Sequence, residues 1–267
     1  MITGASSGFG AAAARAFGAE GAKLLLGARR VTRLEEVAAE ARKAGAPNVQ
    51  IHALDVSQTP SVEEFVNWAR QVLSGHAESP KQAGKPLRQS SEPRLDVLIN
   101  NAGGAHGADP VLKAKDEDWE TMVQTNVLGV LRVTRAVLPL MLNNPGSSII
   151  NVGSVAARTA YEGGAAYCAA KAGELQITRA LRLELNGTGI RVCSLDPGLA
   201  ETEFSIVRFK GDAARAKKVY QGTHPLTAED IAETLVWMAS RPAHVNIDEL
   251  LIKPVDQAAI HKVYRRG

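Results

Sequence analysis

The sequence has few cysteines, few aromatic residues and no long apolar run. Only 2 of its 267 residues are cysteines, Cys168 and Cys193, and neither belongs to a metal-ligand spacing. We therefore expect no metal site and interpret both as small buried side chains in a reducing compartment. No run approaches the roughly 18 apolar residues that a membrane span requires, and the chain opens on a glycine-rich turn rather than a signal peptide. These absences favour a cytoplasmic protein and argue against a membrane protein.

The charge of the chain is nearly balanced. Its 31 lysine and arginine residues against 28 acidic ones give a formal net charge of +3, and the basic residues are scattered. Nucleic-acid partners are therefore not expected.

With 45% hydrophobic residues and no break in composition, residues 1–267 predict a single domain. Residues 74–94 carry glycine, proline, serine and lysine without periodicity, which indicates a surface loop, either a simple insertion or a lid.

Apolar runs alternate with amphipathic segments along the chain. The strand-like runs cover residues 23–28, 49–54, 95–99, 147–154, 190–195 and 249–252. The helical patterns cover residues 11–20, 31–44, 60–73, 118–142, 165–186 and, behind a capping threonine, 227–240. This alternation predicts an α/β fold, a Rossmann-like doubly wound parallel sheet flanked by helices. Residues 199–222 lack periodicity, so we expect an irregular substrate loop that would cover the cofactor.

A glycine-rich turn precedes the first helix. Gly4, Gly8 and Gly10 let the backbone turn sharply and approach a pyrophosphate, which the free N–H groups of a helix start would hold. A plain glycine loop is the alternative. Arg29 and Arg30 end the next strand, where an NAD-binding unit would carry an acidic residue, and arginine there suits a 2′-phosphate. The pattern indicates NADP(H), unless both arginines only begin a solvated helix.

Two polar residues one helical turn apart suggest proton chemistry. Tyr167 and Lys171 fall on one face of a predicted helix. Since a phenol has a reference pKa of about 10, it needs a positive neighbour to exchange protons near neutral pH, and Lys171 would supply that charge. Ser154 ends an apolar run and would place its hydroxyl on a substrate oxygen. An ordinary amphipathic pair is the alternative for Tyr167 and Lys171.

Further polar residues follow other predicted elements. Asp55 and Val56 come after the third strand, at the carboxyl end where ligands collect. The turn Asn100-Asn-Ala-Gly103 is built of small residues that allow a flat ligand to approach. Asn126 stands among apolar neighbours, so it is either a satisfied core residue or part of a water network that reaches the active site.

In their order along the chain, these motifs resemble the short-chain dehydrogenase/reductase family over nearly the whole length. They are Thr3-Gly-x-x-x-Gly-x-Gly10, Asn100-Asn-Ala-Gly103, Asn126, Ser154, Tyr167-x-x-x-Lys171 and Pro197-Gly198. The resemblance implies that Tyr167 is the acid/base, Ser154 positions the carbonyl or hydroxyl, and Lys171 holds the nicotinamide ribose. It implies that Asn126 anchors a proton-relay water. The NADP(H) site implied by the resemblance comprises Gly4, Ser6, Ser7, Gly8, Phe9, Gly10, Arg29, Arg30, Asp55, Val56, Asn101, Ala102, Gly103, Tyr167, Lys171, Pro197, Gly198 and Thr202.

A narrower resemblance lies in the C-terminal half. Residues 196–211, 243–247 and 253–257 are similar to NADP-dependent 3-hydroxy acid dehydrogenases, and the tail 260–267 is similar to their fungal members. This implies a homotetramer that oxidises the β-carbon of short 3-hydroxy acids such as L-allo-threonine, L-serine and 3-hydroxyisobutyrate, or reduces semialdehydes. Such substrates carry a carboxylate, for which we consider Arg208 or Lys210, with a solvent-facing charge as the alternative.

The activity has two alternatives. The same catalytic residues would serve a carbonyl reductase of bulkier ketones or 3-oxoacyl thioesters. A non-catalytic dinucleotide-binding sensor is the alternative from another class, although such proteins usually lose the tyrosine or the lysine, and this chain retains Tyr167 and Lys171.

The first strand is short. Only Met1 and Ile2 precede the Thr-Gly turn, whereas relatives carry a full strand at the centre of the sheet. We expect the two neighbouring strands to lack pairing there. Either the sequence is a truncated form of a longer chain, which we favour, or the fold is compromised. Adding about five apolar residues before Met1 should then raise the melting temperature, and an unchanged value would contradict this.

Overall fold

The computed structural model describes residues 1–75 and 93–267, which form one parallel sheet of seven strands with helices on both faces. The strands are β1 (Ile2–Thr3), β2 (Leu24–Ala28), β3 (Val49–Ala53), β4 (Val97–Asn100), β5 (Ser148–Val152), β6 (Arg191–Pro197) and β7 (Glu249–Ile252). Their order across the sheet is β3-β2-β1-β4-β5-β6-β7. The chain starts in the middle and runs outward in both directions, so a crevice forms at the carboxyl ends of β1 and β4. The predicted Rossmann-like doubly wound fold is confirmed.

Nine α-helices lie within the described residues. They are α1 (Gly8–Ala19), α2 (Val31–Ala44), α3 (Thr59–Leu73), α4 (Asp116–Val123), α5 (Gly129–Val137), α6 (Ala165–Glu184), α7 (Phe204–Arg208), α8 (Ala213–Tyr220) and α9 (Ala228–Ala239). The alanine-rich α1 packs against α2 and α9 on one face of the sheet. Helices α3 and α5 and the end of α6 cover the other face. Because both faces are covered, the inner strands β5 and β6 are buried along their whole length.

The segment 199–222 is more regular than its sequence predicts. It contains α7 and α8, so the prediction of an irregular loop was wrong. The hydroxyls of Ser205 and Tyr220 lie 2.6 Å apart and join the two helices. Asp212 caps α8 by accepting a hydrogen bond from the Arg215 N–H. Helices this short are marginal alone and depend on such contacts, which periodicity does not report.

The predicted helix 118–142 is interrupted. After α4, a five-residue π-helix, Gln124–Leu128, leads into α5, and a 3₁₀ turn, Leu138–Leu140, ends the segment at Pro139. The π-helix carries Asn126. Single π turns inside helices are frequent at functional sites because they displace side chains from the regular helical face.

Strand β1 has two residues, yet it joins both halves of the sheet. Ile2 pairs with Leu26 of β2 and with Ile99 of β4, and Thr3 pairs with Gly27. Leu24 and Leu25 of β2 pair with β3 only. The first half of β2 therefore has a partner strand on one side. The effect of a longer first strand on the melting temperature stays a prediction.

Several expectations concern parts of the chain away from the crevice. Of the predicted loop 74–94, residues 76–92 lie outside the described residues. Cys168 and Cys193 are both free and buried. Across residues 1–75 and 93–267, no helix is both long and apolar enough to cross a membrane. No cluster of three metal-type ligands occurs in the same two ranges. The tail adds a small antiparallel pair, β8 (Gln257–Ala259) and β9 (Lys262–Val263).

Candidate active site

The glycine-rich turn connects β1 to α1 and leaves the start of the helix open. Gly4 and Gly8 have φ angles of 65° and 52°, a region that L side chains rarely adopt. A Cβ atom at Gly10 would lie 2.5 Å from the Gly4 carbonyl oxygen, so this close approach requires glycine. Ser7, the N-cap, makes no side-chain capping bond, and no acidic residue lies in the first turn. The N–H groups and the positive end of the helix dipole are thus available to an anion.

Asn101 holds the turn in place from β4. Its side-chain amide donates to the carbonyl oxygens of Thr3 and Gly4, at 3.0 and 3.2 Å. The Thr3 hydroxyl in turn accepts from the N–H groups of Asn101 and Ala102, each at 3.0 Å. These bonds connect the two central strands at the crevice, so the loop 101–103 and the glycine turn form one rigid unit.

A first cavity extends from the turn toward β2 and β3. Its lining includes Gly4, Ser6, Ser7, Arg29, Arg30, Asp55, Val56, Ala102 and Gly103. The Arg30 guanidinium donates to the hydroxyls of Ser6 and Ser7, at 3.3 and 2.6 Å, and to Glu203 at 3.1 Å. The structure therefore brings both arginines beside the glycine turn, where a phosphate on a ribose would find planar cationic donors. This donor set fits a dinucleotide with a 2′-phosphate.

A second cavity lies over the carboxyl ends of β1, β4 and β5. Its lining includes Gly4, Ser7, Gly8, Phe9, Asn101, Ala102, Gly103, Tyr167, Lys171, Thr202 and Glu203. It places the glycine turn and the Tyr167–Lys171 pair around one space. A Cβ atom at Gly103 would lie 2.5 Å from the Asn126 Oδ1 atom and 3.8 Å from Lys171 Nζ, so the loop and both polar side chains converge.

Lys171 lies on the floor of this cavity and is held by two bonds. Its Nζ atom donates to the Val152 carbonyl at 2.8 Å and to Glu174 at 2.7 Å. Burial lowers the pKa of Lys171, but the charges of Glu174 and Tyr167 outweigh it, and the pKa is raised. The ammonium form is therefore maintained although the side chain is buried.

Tyr167 and Ser154 face a third cavity of about 420 Å³, within the range of small-molecule sites. The Tyr167 ring centre lies 5.7 Å from that of Phe204 on α7. Ser154 begins the turn after β5, where its hydroxyl accepts from the Ala156 N–H at 3.1 Å. Tyr161 also lines this cavity, and burial raises the pKa of its hydroxyl to about 12. Tyr161 therefore stays a neutral hydrogen-bond donor at physiological pH.

Asn126 is buried, and its side-chain amide bonds mainly to backbone groups. Its amide donates to the carbonyls of Gly104 and Met122, at 2.9 and 2.8 Å. Its oxygen accepts from the Gly104 N–H at 3.0 Å. Of the two roles considered for this residue, the satisfied core amide matches these bonds. Its role with a relay water stays a prediction.

The two candidates for a substrate carboxylate lie in different surroundings. Arg208 lines the third cavity, where its guanidinium carbon lies 5.2 Å from the Tyr161 ring centre. Its Nε atom donates to the Gly107 carbonyl at 3.0 Å, which fixes the side chain. Lys210 bonds Asp118 at 2.8 Å instead, with its side chain 53% exposed. Arg208 is therefore the better placed of the two.

Three residues predicted for the cofactor, Pro197, Gly198 and Thr202, line the third cavity. Pro197 and Gly198 line the third cavity, and a Cβ atom at Gly198 would meet the Gln257 Oε1 atom at 2.2 Å. Gly198 thus allows close packing of the C-terminal tail. Thr202 lines both the second and the third cavity and packs beside Gly8.

A family model described as short chain dehydrogenase matches residues 1–212. The chain belongs to the short-chain dehydrogenase family. It is 42% identical over 259 residues to the NADP-dependent 3-hydroxy acid dehydrogenase YdfG of Escherichia coli O6:H1, covering 97% of this chain and 95% of that protein. It is 42% identical to the NADP-dependent 3-hydroxy acid dehydrogenase of Schizosaccharomyces pombe, covering 100% and 96%. The closed form of serine dehydrogenase complexed with NADP⁺ is similar to it with a TM-score of 0.84 and 40% identity, covering 100% and 98%.

Two acidic residues near the site of this short-chain dehydrogenase family member were not predicted from its sequence. Glu174 bonds Lys171, and Glu203 bonds Arg30. A signal for Glu174 exists, because Tyr167, Lys171 and Glu174 follow each other at the spacing of one helical face. Glu203 has no such signal, since it lies 173 residues from its partner.

Proposed function

We propose that this protein is an NADP(H)-dependent oxidoreductase that oxidises the β-hydroxyl of short 3-hydroxy acids and reduces the corresponding semialdehydes. The observation that carries the proposal is the third cavity, where the hydroxyls of Ser154 and Tyr167 and the guanidinium of Arg208 line one space. Among the described residues, no aspartate or glutamate lines this cavity. A small anion with a hydroxyl or carbonyl group fits such a lining. The 3-hydroxy acid dehydrogenases of E. coli and S. pombe support the assignment by their similarity.

NADP(H) would be held along the first two cavities. The open N–H groups of α1 suit the pyrophosphate, and Arg29 and Arg30 suit the 2′-phosphate. Asp55 and Val56 line the pocket at the adenine end, and Asn101 keeps the glycine turn in its shape. When bound, the nicotinamide supplies the acceptor or donor of the hydride.

The chain itself would move the proton. In the direction of oxidation, the Tyr167 hydroxyl, ionised beside the Lys171 ammonium, takes the proton of the substrate hydroxyl, and in reduction it returns a proton to the carbonyl oxygen. Ser154 orients that oxygen from the other side. Lys171 stays charged, and its remaining N–H, which is directed to the second cavity, would hold the nicotinamide ribose. Asn126 would support the wall of the site through its bonds to Gly104. The proton-relay water that the family resemblance implies would bind beside it.

Arg208 would bind the substrate carboxylate. Its Nε atom is already engaged with Gly107, so the outer nitrogens of the guanidinium are preorganised for an anion. Changing Arg208 to alanine should raise the KM for the 3-hydroxy acid by roughly tenfold or more with a smaller effect on kcat. Arg215 on α8 stacks on Phe209 and does not line this cavity, so Arg215→Ala is a matched control. An unchanged KM for L-serine in Arg208→Ala would refute this role.

The test of the function is NADP⁺ reduction, followed at the nicotinamide absorbance. L-serine, L-allo-threonine and 3-hydroxyisobutyrate are compared, with NAD⁺ in parallel and Tyr167→Phe as the inactive control. Turnover with NADP⁺ that is lost in Tyr167→Phe is expected. NADPH binding without turnover of any hydroxy acid, together with reduction of bulky ketones, would instead indicate a carbonyl reductase. Binding without any turnover would indicate a sensor.

We further propose a cytosolic homotetramer built on apolar helix faces. Val123 on α4, Leu131 on α5 and Leu183 on α6 are exposed to 43%, 42% and 80%. Such side chains are suited to symmetric helix packing between copies of the chain. Light scattering coupled to gel filtration measures the mass directly. A Leu183→Glu variant should dissociate the assembly if α6 takes part, whereas an unchanged mass would exclude this face.

A further inference from the structure

A buried ion pair lies under the cleft. The Lys171 Nζ and Glu174 Oε2 atoms are 2.7 Å apart, and the two side chains are 8% and 2% exposed. An ammonium group has three N–H donors. One is used by Glu174 and one by the Val152 carbonyl, which leaves one for the cavity that Lys171 shares with Tyr167.

Burial of Glu174 disfavours the charged form of its carboxylate. Burial raises its pKa to about 7, although Lys171 opposes the shift. The charged groups that act on it are Lys171 on the same helix and Asp196 on β6. Asp196 itself pairs with the Arg158 guanidinium at 2.6 Å and accepts a hydrogen bond from the Ser194 hydroxyl at 2.6 Å. Since a well-packed apolar side chain would often be at least as stable as a buried ion pair, stability alone does not account for this glutamate.

We propose that Glu174 is a positioning residue for the reaction proposed above, which fixes the Lys171 ammonium and offsets part of its charge at the Tyr167 hydroxyl. The inference rests on the proposed function. With Glu174 ionised, the phenol faces a cation that is already paired. The hydroxyl then keeps its proton to a higher pH than an unpaired ammonium at the same place would allow.

Two substitutions of Glu174 should shift the pH dependence of oxidation in opposite directions. Glu174→Gln keeps the shape and an acceptor oxygen for Lys171 but removes the negative charge, so the ammonium acts on the phenol without a counter-charge. The tyrosinate is favoured, and oxidation should begin at lower pH. Glu174→Leu removes the acceptor too, so Lys171 loses both the charge that opposes the effect of burial most strongly and the hydrogen bond that adds to it, and the neutral amine is favoured. Oxidation should then begin at higher pH, with a lower kcat.

The experiment measures the pH dependence of kcat/KM for oxidation of a 3-hydroxy acid with NADP⁺. The midpoint is expected to fall by about half a pH unit or more in Glu174→Gln and to rise in Glu174→Leu. Glu184 is exposed on the same helix, so Glu184→Gln is the matched control, and its profile should coincide with that of the wild type. Coincident profiles for Glu174→Gln and the wild type would overturn the proposal.

A second measurement does not require turnover. The chain has 4 tyrosines, so ζ-¹³C-tyrosine NMR resolves their titrations, with Tyr167→Phe identifying the signal. The Tyr167 midpoint should fall in Glu174→Gln, in the free protein as well as with NADPH bound. If the wild type oxidises no hydroxy acid but this midpoint moves, the proposed function fails and the role of Glu174 stands. If the enzyme is active and the midpoint does not move, only the role of Glu174 fails.

Discussion

Two glutamates pair with cations at the same cleft, one beneath it and one at its rim. Glu174 contacts Lys171 at 2.7 Å with 2% of its side chain exposed, whereas Glu203 contacts Arg30 at 3.1 Å with 37% exposed. The two distances are similar, but the exposure of the two carboxylates to solvent is very different. Water replaces the partner of a rim charge at little cost, whereas a buried charge that loses its partner stays uncompensated. The floor of the site is therefore fixed, and the rim can exchange Glu203 for another anion.

The largest effect is expected from Lys171→Met, which breaks the buried pair. It leaves Glu174 without a counter-charge and removes the cation beside Tyr167. In mildly alkaline buffer we expect the free energy of unfolding to fall by about 3–5 kcal/mol. Oxidation should fall by roughly a thousandfold, since both proton exchange and ribose binding are affected. Urea denaturation and NADP⁺ reduction measure the two effects.

The double variant Lys171→Met/Glu174→Leu is the control. It replaces both charges by apolar groups, so most of the stability should return while activity stays lost. If Lys171→Met is as stable as the double variant, the unpaired buried carboxylate does not lower the free energy of unfolding.

A smaller effect is expected from Arg30→Ala at the rim. It removes a guanidinium that suits a 2′-phosphate, so the Kd for NADP⁺ should rise by roughly 10- to 100-fold, which corresponds to charge-assisted hydrogen bonds of about 1.5–3 kcal/mol. The Kd for NAD⁺ should change little. Arg33, which lies 3.8 Å from Glu203, is the matched control. Equal losses for both dinucleotides would point to a damaged glycine turn instead.

Burial of Glu174 should also make the free energy of unfolding depend on pH. Burial raises the pKa of Glu174 from 4.5 to about 7, against the opposing charge of Lys171. The folded state then holds this proton more tightly than the unfolded state. The proton therefore contributes to the free energy of unfolding below the pKa of the unfolded state, and this contribution is lost as the pH rises through the pKa of the folded state. Relative to Glu174→Gln, the wild type should lose roughly 1–3 kcal/mol between these values. Parallel curves from denaturation at several pH values would contradict this.

The smallest effect is expected from Glu203→Gln. The exposed pair contributes little to stability, so the free energy of unfolding should change by less than about 1 kcal/mol. Because Glu203 no longer competes for Arg30, the KM for NADP⁺ should fall by roughly two- to fivefold, and added salt should reduce the difference. Glu201 lies on the same segment and, in the described part of the chain, pairs with neither arginine, so Glu201→Gln is the control. A higher KM in Glu203→Gln would mean that the carboxylate assists binding.

The sequence was most informative where a function depends on residues close together in the chain. The glycine turn from Thr3 to Gly10 and the Tyr167–Lys171 pair each lie within one local element, so their spacing predicts their geometry. The α7–α8 segment was missed because its helices depend on the contact of Ser205 with Tyr220, which no local pattern encodes. The role of Gly198 in tail packing was missed for the same reason, since Gln257 is distant in sequence.

The two-residue strand β1 also determines where the sheet is weakest. The β2–β3 pair shares five residue pairs and the β4–β5 pair shares four. Between them, β1 pairs two residues with β2 and one with β4, and Met1 adds backbone hydrogen bonds to Val97 and Ile99, so the sheet has a narrow seam at β1. Such a seam is a natural boundary between cooperative folding units. Amide hydrogen exchange should therefore be fastest, within the sheet core, at the β1-facing N–H groups of β2 and β4. A dinucleotide bound as proposed would contact the turn directly after this seam, slow that exchange and couple the two units into one.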